Sequence, residues 1–418
     1  MKSVRRPYTA RIVAAAAVAV LFATVTACSS DDDSDNSSSG GSSAAVPSDA
    51  FSGKAASGAP VRIGLIANEG GQAMSLPETR EAAEAATKYA NENLGGIAGR
   101  PIELVICKEQ EDPVSARNCA NQMVEQKVPA VVVTNTGLGS IIAPIITKAG
   151  ISYVTALGGS QAEITSDNSY VWTAGSNTSQ AMARFAKEQG MKSVVAYSID
   201  SPAATGSLTR MGGPAFEAAG IKFKLITIPF GTADATPQVS AGLDANPDGV
   251  LVYGESTVCT SVLKALNTLG SKAIPISPQT CAAPEVVQAV GTSGVENLRV
   301  FSSADTVSDD PESVLYRTVM EKYSPETATQ GYAVTGYQGM LGLVRATAGL
   351  TGEVDQQTIG NAIRTAKDVV LPAGDGITFT CDGTAIPGLK SLCGDTMIVL
   401  TMKDGKLTDP TKVSVAKQ

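Results

Sequence analysis

Histidine is absent from all 418 residues. Without an imidazole the chain has no Ser-His-Asp or Cys-His route to an activated nucleophile, and no metal site that depends on a histidine ligand. Aromatic residues are scarce at 5%, with a single tryptophan, and charged residues reach only 17%. Positive charge is scarcer still in the body of the chain. Four of the 32 basic residues (Lys2, Arg5, Arg6 and Arg11) fall in the first 27 positions, which hold no acid, so 28 remain against 40 acidic residues, a balance of −12. Such a surface excludes nucleic-acid backbones, which are held by clustered Lys and Arg. Apolar residues are plentiful at 43%, as in a globular protein. The length exceeds what one core usually serves and predicts two compact lobes.

The basic start is followed by the apolar run IVAAAAVAVLFATV and then by VTAC at Val25 to Cys28. This order reads as an export signal over residues 1–27, and the apolar run is near the lower limit for a spanning helix. The small residues before Cys28 resemble a bacterial lipobox, in which that cysteine is acylated and becomes the mature N-terminus. The acidic run Asp31 to Asp35 and the Ser/Gly-rich stretch after it, residues 28–60, have the composition of a solvated, flexible tether. On this reading folding starts near Val61, and the protein is exported and lipid-anchored on the outer face of the cell membrane.

Six further cysteines suit an exported chain. They fall as Cys107 with Cys119, Cys259 with Cys281 and Cys381 with Cys393. Six cysteines allow 15 connectivities, and the nearest-neighbour pairing is expected because each loop is short. The CxxC-type spacing of a zinc site is missing, and no metal or cofactor is expected.

From Val61 onwards strand-like and helix-like segments alternate. VRIGLI is followed by the helical TREAAEAATKYANEN, IELVI by ARNCANQMVEQK, and AVVV by SIIAPIITKAG with its glycine stop. A second series begins near Gln180 and runs through the strands SVVAY, FKLITI, GVLVY and AIPIS. This is the βαβ rhythm of an α/β protein with parallel sheets. The tail reads as three more helices, then GITFTCDGT and DTMIVLTMKDGKL as a closing β ribbon.

Catalytic motifs are incomplete. GESTV at Gly254 to Val258 starts like a nucleophile elbow but lacks the final glycine. The loop TNTGLGS after AVVV lacks the Lys and Ser/Thr of a phosphate-binding loop, and GLGS is not GxGxxG. The chain is therefore not expected to be an enzyme. A loop at the carboxyl end of a parallel strand does present free N–H groups, able to hold a carboxylate or another small anion without a lysine.

The order of segments resembles one family. NLGGIAGRPIELVICKEQEDP at Asn93 to Pro113 is similar to the "aGGinGrkielvvyDdqgDP" block of type 1 periplasmic binding proteins, the leucine/isoleucine/valine-binding family of ABC importers. The strand, loop and helix at Val131 to Gly150, ISYVTALGGSQAE, GYAVTGYQGMLGL and GITFTCDG match in the same order, so the resemblance covers Val61 to Leu407. It implies two Rossmann-like lobes joined by a three-strand hinge, with residues 61–178 and 303–372 in the first lobe and 179–302 and 373–418 in the second. It also implies a monomer that closes over a small polar ligand (an amino acid, an amide or a carboxylate) and delivers it to an ABC permease and its ATPase subunits. The alternative is a lipoprotein of the same fold that senses its ligand and signals.

By the same resemblance Thr136 and Ser160 would grip a ligand carboxylate with the backbone of Gly137 and Gly159, and a one-residue shift would put Gly159 in the place of Ser160. Thr136 also reads as a helix N-cap. The second lobe departs from the family. Gln279 stands where amino-acid binders carry an acid, and Ala204 where a tyrosine is common. Glu255, after GVLVY, either supplies the missing carboxylate or is a solvated loop acid. The first loop is altered to NEGGQAMSLPE, which brings Gln72 and Met74 into consideration as pocket residues.

Overall fold

Residue 46 and residues 50–71, 75–175 and 177–416 are described by the structure, a computed structural model. The leader, Cys28, most of the tether, and Gln72 and Met74 lie outside the described residues. Five strands come first: Val61–Asn68 (β1), Ile102–Glu109 (β2), Ala130–Val133 (β3), Ser152–Thr155 (β4) and Ser169–Val171 (β5). They form one sheet in the order β2-β1-β3-β4-β5 with every pair parallel. Parallel neighbours need crossovers, supplied by helices such as Pro77–Asn93, Pro113–Glu125 and Gly139–Lys148. With helices on both faces the central strand is enclosed, which is why Ala130–Val133 is an unbroken apolar run, buried throughout.

The second sheet starts with Ser193–Ile199 (β6), Lys222–Ile228 (β7), Gly249–Tyr253 (β8), Ile274–Pro278 (β9) and Arg299–Ser302 (β10). After a two-residue ribbon, Val369–Val370 (β11) with Thr378–Phe379 (β12), the hairpin Thr396–Lys403 (β13) and Lys406–Ser414 (β14) closes the chain. The order is β14-β13-β10-β9-β8-β6-β7, parallel from β10 to β7 and antiparallel where the hairpin joins. The fold is α/β with parallel-dominated sheets in two lobes. The tail differs from the single ribbon expected, since GITF pairs with Val369–Val370 while β13 and β14 extend the second sheet. The polar stretch around VSAGLDANP is also a helix in part, Thr236–Leu243.

Between β10 and the closing hairpin the chain packs back on the first sheet. Helix Ala333–Ala346 is buried along nearly its whole length, between helix Pro77–Asn93, β3 and the indole of Trp172. Its glycines make this approach possible. A Cβ on Gly336 would overlap the carbonyl oxygen of Thr79, and one on Gly342 would strike the Trp172 ring. Trp172 Nε1 donates to Gly339 O at 3.3 Å and stacks on Phe379 at 4.7 Å, a joint where the chain passes between lobes. Beside it Gln338 Nε2 donates to Ser303 O and Pro372 O at 3.0 and 2.9 Å.

Packing begins earlier than Val61. Ala50 is buried, Tyr89 Oη donates to its carbonyl at 2.8 Å, and Phe51 meets the Tyr89 ring edge-on at 5.4 Å. The end of the tether region therefore lies on the first lobe, because Phe51 gives it an apolar anchor that composition over the whole stretch conceals. Disulfides join Cys107 to Cys119, Cys259 to Cys281 and Cys381 to Cys393.

Candidate functional site

The carboxyl ends of parallel strands open into loops with free backbone groups, and crevices there are the usual ligand sites of α/β sheets. In the first sheet these ends are Asn68, Glu109, the Thr134–Gly137 turn and the Thr155–Ser160 turn. Helix Ala333–Ala346 brings its amino end to the same edge, since Gly336 touches Thr79, two residues into the helix that follows β1. Tyr332 precedes that helix, and its hydroxyl lies 3.1 Å from Thr280 Oγ1, just past the carboxyl end of β9. This contact links the carboxyl edge of the second sheet to a helix packed on the first.

On the first edge the expected residues are present but already engaged. Thr136 Oγ1 donates to Glu109 Oε1 and accepts from Leu138 N at 2.9 Å. It is not the N-cap of the next helix, a position filled by Leu138. Gly137 N donates to Glu111 Oε1 at 2.9 Å. One strand over, Gly159 N and Ser160 N both donate to Glu163 Oε2, at 3.0 and 2.8 Å, and Ser160 caps its helix in a box with Glu163. Glu163 also accepts from Tyr153 Oη, and a Cβ on Gly139 would overlap its carboxylate, so this acid fills the space between the two loops.

Three carboxyl groups, Glu109, Glu111 and Glu163, therefore stand at this edge, and the sequence reading singled out none of them. Glu109 and Glu163 are buried and Glu111 is half-buried. Burial, then the charge of Glu109, pushes the Glu111 carboxyl up to about 7. Burial and then Glu163 push the Tyr153 phenol well up. Farther out, burial alone would raise Glu69, but Arg80 at 2.6 Å and Lys108 at 2.6 Å outweigh it and hold that carboxyl low. A signal was available in the sequence: KEQED ends β2, and Glu111 occupies a position that is glycine in the block it resembles. Its backbone keeps the left-handed φ of 53° that a glycine would adopt freely.

The second edge has a different chemistry. Gln279 opens the short turn after β9, and its Oε1 accepts from Ser302 Oγ at 3.0 Å. Its Nε2 is buried without a hydrogen-bond partner, as is the hydroxyl of Ser277. Glu255 caps helix Ser256–Thr268 by accepting from Thr257 N and Val258 N. Its carboxylate is thus committed to its own helix, a role between the two foreseen. The Cys259–Cys281 bridge ties this helix to the Gln279 turn. Ala204 lies half-buried in helix Pro202–Ser207, its N–H donating to Ser201 Oγ. The sequence reading missed Tyr253, which ends β8 with Ser207 and Tyr332 about its phenol, and burial raises that phenol. Among the described residues no group of three or more acidic or cysteine side chains is placed to hold a metal ion.

Two α/β lobes built on parallel-dominated sheets define the class of bilobal binding folds. Residues 60–405 match the family model for periplasmic binding proteins, and the chain belongs to that family. Among curated proteins no match is found. Solved structures share the fold. The isoleucine-bound branched-chain amino acid transporter substrate-binding protein LivJ of Streptococcus pneumoniae is 19% identical, with a TM-score of 0.69 over 85% of this chain and 100% of that one. The leucine-binding protein LivK of Thermotoga maritima is 20% identical, with a TM-score of 0.67 over 85% and 99%. A fatty acid ABC transporter substrate-binding protein of Thermomonospora curvata is 16% identical, with a TM-score of 0.66 over 86% and 92%.

Proposed function

We propose that this protein is an exported solute receptor, lipid-anchored through Cys28, that captures a small polar ligand between its lobes and delivers it to an ABC permease and its ATPase subunits. It acts as a monomer and catalyses no reaction. The observation that carries this reading is the contact between the two edges. Tyr332, at the head of the helix that packs on the first sheet, touches Thr280 past the end of β9, and the buried Gln279 Nε2 next to Thr280 awaits an acceptor. A buried donor left unpaired costs about 1–3 kcal/mol, which a bound acceptor would recover. A ligand contacting both edges favours the closed arrangement of the lobes over an open one, and the permease reads that shift. The relatives named above are described with isoleucine, leucine and fatty acids, so the fold leaves the ligand to the side chains of the crevice.

Thermal-shift screening of the purified protein against amino acids, amides, amines and carboxylates tests the reading. At least one solute should raise the unfolding temperature in proportion to its occupancy. Deleting the gene should then abolish uptake of that solute. A panel that leaves the melting curve unmoved would remove the proposal.

A further inference from the structure

An α-carboxylate needs unoccupied donors, and on the first edge the backbone N–H groups and the Thr136 hydroxyl expected to supply them are already used, which leaves the Ser160 hydroxyl alone. The N–H groups of Gly137, Gly159 and Ser160 already donate to Glu111 and Glu163. What the edge has in surplus is acceptors. Glu111 takes one hydrogen bond on each oxygen, from Gly137 N and from Asn68 Nδ2 at 2.7 Å, and Glu109 takes one on each from Thr136 Oγ1 and Glu111 N. All four donors are neutral, the two carboxyl groups are also hydrogen-bonded to each other, and no ion pair to Glu109 or Glu111 is formed among the described residues. Asn68, only 1% exposed, adds an independent sign: its amide joins this cluster through Nδ2, and its Oδ1 is buried and accepts nothing. Glu111 is half-buried and Gly137 exposed, so the group is reached from solvent on the Glu111 side, with Glu109 and Asn68 buried behind it.

We propose that Asn68 Oδ1, Glu109 and Glu111 form a subsite for a positively charged nitrogen, and that the solute is an organic amine or guanidine held by its cationic end on the first lobe. An ammonium brings three N–H donors and a full charge to a place that offers acceptors and two carboxyls without a cationic partner. The inference rests on the solute-receptor reading and narrows its ligand. It also gives the position that is glycine in the family block a purpose, since a carboxylate there both fills the anion-holding N–H and creates the opposite preference.

The charge of the pair makes the idea testable. With Glu111 titrating near 7, protons compete with a ligand cation, so affinity should rise about tenfold between pH 6 and pH 8. The other ionisable groups about the pair are Glu163 and Tyr153 behind it, Asp112 next in sequence, and Glu69 with Arg80 and Lys108 at the outer end of β1 and β2. Hydrogen bonds from Ser115 and Val114 hold Asp112 low, so it keeps one charge across this range.

The experiment is calorimetric titration of the whole protein with alkylamines, diamines, guanidines and amino acids, matched carboxylates and amides that lack nitrogen cations, and calcium chloride, at pH 6 and pH 8. The expected result is that the ligands carry a cationic nitrogen and bind about tenfold tighter at pH 8. Glu111→Gln should lower that affinity at least tenfold and erase the pH dependence. Glu111→Gly, which suits the left-handed backbone and keeps the loop folded, should lose amine binding and free Gly137 N for a carboxylate. Binding only of cation-free carboxylates or amides, affinity that falls with rising pH, or a site filled by calcium alone would overturn the inference and leave the solute receptor standing. Silence of the entire panel would overturn both.

Discussion

Along the first carboxyl edge each backbone donor expected to grip a ligand is bound to a carboxylate of the protein itself. Along the second edge a buried amide, Gln279 Nε2, has no partner. The first edge is rich in acids and its expected backbone donors are used, whereas the second keeps an unused amide donor and an acid, Glu255, that caps its own helix. A ligand bridging them must bring a cation to one side and an acceptor to the other, and that polarity sets its orientation.

The lobes also differ in how they hold their shape, and the largest expected effects separate them. The first lobe depends on bare backbone contact between helices, so Gly336→Ala, which drives a methyl group into Thr79 O, should cost about 3 kcal/mol in denaturant unfolding. Gly349→Ala, where a Cβ meets nothing, serves as its control and should stay within about 0.5 kcal/mol. Equal effects of the two substitutions would contradict the close approach. In the second lobe the Cys259–Cys281 bridge closes a segment with a sequence separation of 22, and replacing both cysteines by serine should cost about 3 kcal/mol. The turn that carries Gln279 would loosen with it, so ligand affinity should fall together with stability. Opening Cys107–Cys119, whose loop encloses Glu109 and Glu111, should likewise lower stability and ligand affinity together.

A smaller effect sharpens the contrast between the edges. The folded Glu111 pKa of about 7 lies above its ordinary 4.5, so between those values the native chain keeps a proton that the unfolded chain has released. Stability is therefore lost as pH rises through that window, and Glu111→Gln should remove the loss. After allowance for solvent screening of a half-buried group, the variant should be about 1–2 kcal/mol more stable than the native protein at pH 8 and equal to it at pH 4. Chemical denaturation at the two pH values checks this. Gln279→Ala, with no titratable group, should show the same stability difference from the native protein at both.

How much of this was legible in the sequence follows from which forces act locally. The valine run of β3, the alanine face of Pro77–Asn93 and the alternation with helices revealed the α/β order, because periodicity records burial directly. The three-residue β5 and the pairing of β11 with β12 were too short to leave a period. The loops of the first edge were placed correctly relative to the strands, with Thr136 beside Gly137 and Ser160 beside Gly159. Their partners were not foreseen, since Glu111 reaches Gly137 across 26 residues of sequence and only the β1–β2 and β1–β3 pairings bring them together. Glu255 was recognisable as a rim residue, but its bonds to the amides of its own helix depend on the local turn geometry. Gln279 was singled out for its neutral amide, and its unpaired Nε2 depends on Ser302, which lies on a different strand.

The most direct measurement is calorimetric titration of the solute giving the largest thermal shift, compared among the native protein, Glu111→Gln and Gln279→Ala. If one ligand spans both edges, each variant should lose at least about tenfold in affinity, or roughly 1.4 kcal/mol. A variant that binds as tightly as the native protein would show that its edge does not touch the ligand, and would contradict a solute held between the two lobes.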